Sequence, residues 1–488
     1  RKTQEVYQMT DLKFIEAAVD AQAERILDAN DRIWEYAEPP FKEMQSSALL
    51  GRLLKEAGFT VETGLAGIPT CFTGTFVFGT GKPVMGILGE YDALPGLSQE
   101  AALPVKKERE AGGFGHGCGH CVLGAASLAA EIAVKNYLEE FKKDGTIIYF
   151  GCPAEEGAGS KQFMTRAGLF DNVDFVYTWH PSTVNRVAPS SSNAIMGADF
   201  SFRGITAHAG SSPHLGRSAL GGAELMNIGC NYLREFIIPE ARLHSAYSDV
   251  GGSATNVIQD HATLSWEVRA PRISQVREIL ERVINVAKGA AMMTGTSMEY
   301  RLVLAFTEYV PNLALAAVAD ECLREVGAPE WSDGDYRLAK EFLSTYTDDT
   351  REMIREKIAA LYGADRLEEI LEKPLDSEVH PFDASKIQQD TSSTDVGDVG
   401  YAVPTLILGV ATSCVGNVGH TWQMTAQSCS SIAHKGLLTA AKVMALAAVR
   451  TRERPDVIAA AKDEVTRRNG GRYTCPLPDY VSPPVNTD

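Results

Sequence analysis

A cluster of potential metal ligands lies within a glycine-rich stretch in the first third of the chain. His116, Cys118, His120 and Cys121 occur at residues 115–126, and the small-residue apolar run that follows suits a buried helix. A thiolate and an imidazole at the start of a helix are ligands that transition metals favour. Cys118 and Cys121 also form a C-x-x-C pair, so a dithiol redox centre and inert packing are alternatives.

Three further segments offer metal-type ligands just after predicted strands. A lone histidine is more often a packing residue, so the prediction depends on the joint placement of these segments at strand ends. Two adjacent carboxylates in a metal site can divide the work: one ligates, and the other takes a proton from water whose pKa the cation lowers towards about 7. This combination predicts a hydrolase. The segments hold Glu155 and Glu156, then His180, then His420.

The elements that position these residues alternate between strand and helix. This order predicts an α/β domain whose active site lies at the carboxyl ends of the strands. Residues 194–310 differ, because their β-α-β-β-α-β-like order predicts a compact α+β insert, which divides the remaining chain into 1–193 and 311–488. Residues 320–378 are charged and mostly helical, with no assigned chemistry. Strands are predicted at 71–78, 83–88, 145–152, 173–179 and 403–408, and helices before Gly58 and from about 425 to 449.

Length and composition set broad limits on function. A chain of 488 residues exceeds what one core usually sustains, so two domains are expected. The net charge of −17 argues against a nucleic-acid or acidic-membrane partner. Nine cysteines without framework spacing indicate a reducing compartment, and the first residues contain no apolar signal-peptide region, so a cytoplasmic location is expected. No uninterrupted apolar run reaches the roughly 18–20 residues of a membrane span.

Eight sequence motifs resemble those of the M20 metallopeptidase/amidohydrolase family, in particular the branch of the B-type aminobenzoyl-glutamate hydrolase subunits. The similarity extends over nearly the whole chain. The motifs are G-E-Y-D-A-L-P-G-L-S-Q (89–99), G-H-G-C-G-H (115–120), G-C-P-A-E-E-G (151–157), T-W-H-P (178–181), F-R-G-I-T-A-H-A (202–209), S-P-H-L-G-R-S-A-L (212–220), S-S-T-D-V-G-D-V (392–399) and H-T-W-Q (420–423).

The resemblance implies an α/β, zinc-peptidase-like catalytic domain interrupted by an α+β, ferredoxin-like lid domain that also dimerises. It implies a divalent metal, Zn or Mn, and makes Glu155 the general base and acid. Asp92 matches a carboxylate that orients the metal centre. The metal ligands that the resemblance implies are Cys118, His120, Glu156, His180 and His420.

In the insert, the resemblance gives His208 the role of a histidine that reaches a neighbouring active site and polarises the scissile carbonyl. Asn256 and Arg269 match positions that bind the substrate carboxylate, and a guanidinium fork suits that partner. A surface role is the alternative for Arg269. Two positions depart from the pattern: Glu90 stands where many relatives have histidine, and Cys121 stands where the branch has asparagine.

These observations together predict a metal-dependent amidohydrolase that cleaves the amide bond of an N-acyl or aminobenzoyl amino acid of the glutamate type. The expected partners are a small amide substrate bearing a carboxylate, a second copy in a homodimer or higher oligomer, and a companion subunit, without nucleic acid or membrane. Three alternatives stay open: hydrolytic deamination of an aromatic amine at the same site, a non-catalytic partner subunit, and a dithiol oxidoreductase.

Overall fold

A computed structural model of the chain describes residues 2–188 and 190–486, which form fifteen α-helices and thirteen strands. The helices are α1 (Lys2–Asp20), α2 (Ala23–Tyr36), α3 (Met44–Glu56), α4 (His120–Glu140), α5 (Lys161–Arg166), α6 (Ala219–Leu233), α7 (Ile273–Thr294), α8 (Leu313–Val326), α9 (Asp333–Ser344), α10 (Asp348–Tyr362), α11 (Leu367–Glu372), α12 (Val396–Ala402), α13 (Trp422–Gln427), α14 (Ser431–Arg452) and α15 (Pro455–Asn469). The strands are β1 (Thr60–Thr63), β2 (Phe72–Phe78), β3 (Val84–Glu90), β4 (Gly145–Cys152), β5 (Phe175–Ser182), β6 (Arg186–Val187), β7 (Ser190–Ser191), β8 (Ala194–Arg203), β9 (Arg242–Asp249), β10 (His261–Ala270), β11 (Ser297–Phe306), β12 (Gln388–Gln389) and β13 (Thr405–Ala411).

Seven strands form a mixed sheet in the order β1-β2-β4-β3-β5-β13-β6. The central strands run parallel, since β3 pairs with β4 and β5, and β5 pairs with β13. The outer pairs are antiparallel. The carboxyl ends of β3, β4, β5 and β13 therefore lie at one edge of the sheet, which is where open α/β sheets bind ligands. The α/β prediction is confirmed.

Helices α4 and α14 pack against each other and against this sheet. Both are rich in small apolar residues because both lie in the main hydrophobic core. By length and composition alone either could cross a membrane, although charged residues interrupt the apolar run of each. However, 83% of the apolar window of α4 and 72% of that of α14 are buried inside the fold, so core packing accounts for their composition.

The insert forms a separate antiparallel sheet in the order β11-β8-β10-β9, with α6 and α7 packed against it. In chain order the elements are β8, α6, β9, β10, α7 and β11, so the structure has the predicted β-α-β-β-α-β arrangement. The exact boundaries at 193/194 and 310/311 and the lid and dimerisation roles stay predictions.

Two elements differ from the sequence-based prediction. The single helix expected over 425–449 is divided into α13 and α14, because the side chain of Ser430 accepts a hydrogen bond from the backbone N–H of Ala433 and caps α14. Strand β5 extends to Ser182, so His180 lies on the strand rather than after it.

Helices α9, α10 and α11 occupy the segment that had no assigned chemistry. They form a small apolar cluster that includes Ile354 and Phe342 and that also contains Val415. Trp422 packs against the same cluster. The cluster therefore contacts the chain on both sides of His420.

Candidate metal centre and active site

The carboxyl edge of the large sheet brings together side chains that are far apart in the sequence. Strand β3 ends at Glu90, and its partner strand β4 ends at Cys152, just before Glu155. His180 lies on β5, and the glycine turn 115–119 leads into α4 at His120. Gly119 has a φ of 78°, a left-handed conformation that glycine adopts without strain and that allows this sharp entry.

The predicted metal ligands form two groups that share one thiol. Cys118, His120 and His180 make the first group, with Cys118 Sγ 3.5 Å from His180 Nε2. Cys118, Glu156 and His420 make the second, with His420 Nε2 3.3 Å from Glu156 Oε1. Within each group the ligand atoms lie within 4.8 Å of one another. The structure thus brings together all five residues that the family resemblance implied as ligands, and the shared thiol suits a two-centre site.

Asp92 orients one ligand from each group. Its Oδ1 lies 2.7 Å from His120 Nδ1, and its Oδ2 accepts a hydrogen bond from the backbone N–H of Glu156 at 2.8 Å. His120 Nε2 and Glu156 Oε1 are buried and make no hydrogen bond among the residues that the structure describes, although Glu90 Oε2 and His420 Nε2 respectively lie 3.3 Å from them. A carboxylate that holds the far nitrogen of a ligating imidazole is a common feature of metal sites. These two atoms, beside a thiol and two further imidazoles, fit a divalent cation.

The two adjacent glutamates lie in different electrostatic environments. Burial raises the pKa of Glu155 well above the usual carboxyl range, and the charge of Glu90 raises it further. Burial also opposes ionisation of Glu156, but the nearby His420 and His120 outweigh it and lower its pKa to about 2. Glu156 therefore favours the ionised form, whereas Glu155 holds a proton more tightly than an ordinary carboxyl group does.

Two non-glycine residues of the site, one just before Glu155 and the other a proposed ligand itself, have left-handed backbone conformations. Ala154, just before Glu155, has a φ of 60°, and His420 has a φ of 57°. The buried carboxylate of Glu43 accepts a hydrogen bond from the backbone N–H of Ala154 at 2.8 Å and another from the hydroxyl of Thr70 at 2.9 Å. Such strain persists where surrounding contacts hold it, and Glu43 supplies one such contact.

A buried ion network lies beneath the site and was not identified from the sequence. Lys161 Nζ is 2.7 Å from Glu90 Oε1 and 2.6 Å from Asp395 Oδ1, and all three side chains are almost fully buried. Glu90 Oε2 also lies 3.3 Å from His120 Nε2. Glu90, which replaces a histidine of the family pattern, is thus the anion that connects the lysine to the metal centre. In the sequence, Lys161 at the start of α5 and Asp395 in the 392–399 motif are the charged residues that could have indicated this network.

The other residues of the glycine-rich stretch have structural roles. His116 is buried, with Nε2 3.0 Å from the carbonyl oxygen of Ile33, and it accepts a hydrogen bond from the backbone N–H of Cys121. Cys121 is a free, fully buried thiol in the main core, with Sγ 4.0 Å from the carbonyl oxygen of Ser428. It belongs to none of the potential metal-binding groups found among the described residues. Cys121 therefore acts as a small apolar filler.

A cavity of about 590 Å³ opens onto the ligands, and Glu155 lines it. Arg269 lines it too, with Nη1 donating to Ser393 Oγ at 3.3 Å and Nη2 lying 3.4 Å from Glu267 Oε2. The cavity wall also contains the serines of 190–192. We call this space the main cavity.

His208 and Asn256 lie elsewhere, on the exposed surface of the insert. The backbone N–H of Ala209 donates to the carbonyl oxygen of Asn256 at 2.9 Å, so the two predicted residues are neighbours. Neither is among the residues that line the main cavity. The structure brings these two residues together but does not bring them to the metal ligands of the same chain.

Comparison with known proteins agrees with this geometry. The model of "Peptidase family M20/M25/M40" matches residues 86–370. The chain is 40% identical, over 98% of its length and 99% of the relative's, to the B-type subunit of p-aminobenzoyl-glutamate hydrolase from Escherichia coli. A similar fold occurs in an aminobenzoyl-glutamate utilization protein from Klebsiella pneumoniae (TM-score 0.56, 17% identity, 88% and 97% of the two chains). It also occurs in a dinuclear metal-binding M20 peptidase from Bacillus subtilis (TM-score 0.55, 16% identity, 89% and 99%).

Proposed function

Because the chain belongs to peptidase family M20/M25/M40, we propose that it hydrolyses the amide bond of an N-acyl amino acid of the aminobenzoyl-glutamate type. One observation carries this proposal: two buried ligand atoms that make no hydrogen bond, His120 Nε2 and Glu156 Oε1, lie beside a carboxyl group, Glu155, that faces an open cavity. Ligands and base next to an accessible space are what hydrolysis by activated water requires.

The residues that would hold a divalent cation are the two ligand groups that share Cys118. A bound cation makes water acidic enough to be a nucleophile at neutral pH and polarises the substrate carbonyl. The thiolate favours Zn, while the carboxylate and imidazole ligands also suit Mn. We propose Zn or Mn at this site, in a cytoplasmic protein.

The protein's own side chains carry out the two proton transfers. Glu155, whose pKa is raised, takes a proton from the attacking water as the carbonyl carbon is attacked. Glu155 returns that proton to the amide nitrogen as the carbon–nitrogen bond breaks, so the products are a carboxylic acid and an amine. Asp92 keeps the imidazole of His120 in one orientation during both steps.

The proposed assembly includes further chains. His208 and Asn256 are exposed and lie outside the main cavity of their own chain, so a second copy would have to present them to an active site. The relative from Escherichia coli is by its name one of the subunits of a hydrolase, which supports a companion subunit for this chain as well. Activity is therefore measured with the purified chain alone and with a candidate companion.

The experiment is an assay of aminobenzoyl-glutamate hydrolysis by protein reloaded with Zn or Mn. We expect release of glutamate and aminobenzoate, and a loss of about 100- to 10,000-fold in kcat for Glu155→Gln, the usual contribution of a general base. The matched control is Glu140→Gln, which removes an exposed carboxylate at the end of α4 and should leave kcat unchanged. Full turnover by Glu155→Gln would exclude this mechanism, and release of ammonia in place of glutamate would favour deamination.

A further inference from the structure

A small side pocket next to the main cavity contains an arginine that no predicted role uses. The pocket has a volume of about 130 Å³ and is lined by Arg186, Ser182 and Gly409, among others. His180 and Ser190 line both this pocket and the main cavity, so the two spaces adjoin each other. We call this space the side pocket.

The sheet register places Arg186 on the same face as a metal ligand. Gly409 on β13 pairs with His180 on one side and with Arg186 on the other. Residues directly opposite each other on neighbouring strands project to the same face, and neighbouring strands lie about 4.8 Å apart. Arg186 is therefore two strands from His180 on the ligand face, and the small side chain of Ser182 lies over Gly409 between them.

The guanidinium of Arg186 has no ion-pair partner among the described residues. Burial lowers its pKa below the usual arginine value, and the negative charge of Asp376 only partly opposes this shift. Asp376 instead accepts hydrogen bonds from the backbone N–H and the side-chain amide of Asn185. A half-buried guanidinium without a carboxylate partner favours binding an anion from outside.

The charges around the main cavity show why a second cation is needed. Its wall contains several carboxylates and one arginine, Arg269, whose guanidinium already contacts Glu267. An acyl-glutamate carries two carboxylates, so one arginine cannot neutralise both. The side pocket is slightly smaller than the about 150 Å³ cavity that accommodates a benzene ring, so it suits a short acidic arm better than an aromatic acyl group.

We propose that Arg186 and the side pocket bind the side-chain carboxylate of an acidic amino-acid substrate, which makes the enzyme select glutamate-type over neutral amides. This inference rests on the proposed function for the orientation of the substrate. Arg186 is a specificity residue; it takes no part in proton transfer.

Calorimetric binding of N-acetyl-L-glutamate and of N-acetyl-L-glutamine to the full-length, metal-loaded protein tests this inference. The two ligands differ only in the side-chain carboxylate. We expect the wild-type protein to prefer the glutamate compound by at least about tenfold, the usual size of a charge-assisted hydrogen bond. Arg186→Gln should abolish the preference for the glutamate compound. Arg186→Lys keeps the positive charge but loses the paired N–H donors of the guanidinium, so it should retain part of the preference.

The matched control is Arg337→Gln, which removes an exposed arginine from α9 and should leave the preference unchanged. Thermal unfolding confirms that each variant is folded. Equal affinities of the wild-type protein for the two ligands, or an undiminished preference in Arg186→Gln, would overturn the inference. Selective binding without any hydrolysis would contradict the proposed function but support the role of Arg186.

Discussion

The loop that carries His420 is held by the helical segment α9–α11, and this contact can be tested by removing one oxygen atom. The hydroxyl of Tyr346 donates a hydrogen bond to Asn417 Oδ1 at 2.6 Å and accepts one from the backbone N–H of Val418 at 3.1 Å. At the other end of the loop, the backbone N–H of His420 donates to the carbonyl oxygen of Gly117 at 2.8 Å. Tyr346→Phe removes the first two bonds and keeps the ring in its apolar cluster.

The expected magnitude follows from these two bonds. Each contributes about 1 kcal/mol, so their loss costs the native loop conformation about 2 kcal/mol. That free energy corresponds to about 30-fold in an equilibrium constant. Because His420 is one of the proposed ligands, we expect the affinity for Zn to fall by about 10- to 30-fold, within the range known for groups that position metal ligands.

The assay is competition for Zn with a chromophoric chelator at neutral pH. Tyr362→Phe is the matched control, since Tyr362 belongs to the same cluster but its hydroxyl does not hydrogen-bond to the His420 loop. Its Zn affinity should equal that of the wild-type protein. If Tyr346→Phe binds Zn within twofold of wild type while its unfolding temperature is unchanged, the helical segment does not position His420.

Two further predictions concern stability. Lys161→Met leaves two buried carboxylates without their cation, so the free energy of unfolding should fall by about 3–5 kcal/mol in chemical denaturation. The control Lys106→Met replaces an exposed lysine and should change the free energy of unfolding little. Equal values for the two variants would contradict the ion network. Burial opposes ionisation of Asp335, but its hydrogen bond with Lys435 lowers its pKa from 3.8 to about 2, so its stabilisation is complete above pH about 4 and is lost as the pH falls towards 2. Thermal unfolding between pH 5 and pH 2.5 should therefore show a smaller loss for Asp335→Asn than for wild type, and an identical loss would refute this assignment.

Much of the fold could be predicted because the signals are local. The strand at 145–152 and the helix that ends before Gly58 follow from runs and periodicities of apolar residues, and the structure has both. The break between α13 and α14 was missed because apolar residues continue across it, and only the cap at Ser430 marks it. Among the strands of the insert, the second, β9, is the least distinct in the sequence, because most of its side chains are exposed and its apolar residues form no clear pattern.

The sequence by itself determined which residue types could bind a metal and where Glu155 and Glu156 would stand, because strand ends are set by nearby residues. It could not show that Lys161 pairs with Glu90 and Asp395, since Lys161 and Asp395 are 234 residues apart and their contact depends on packing. Nor could the sequence place Arg186 on the same face of the sheet as His180, because strand order and register depend on how distant strands pair. Only the tertiary structure brings these charged groups to their positions. The low-dielectric interior of the folded chain then strengthens the electrostatic interactions between them.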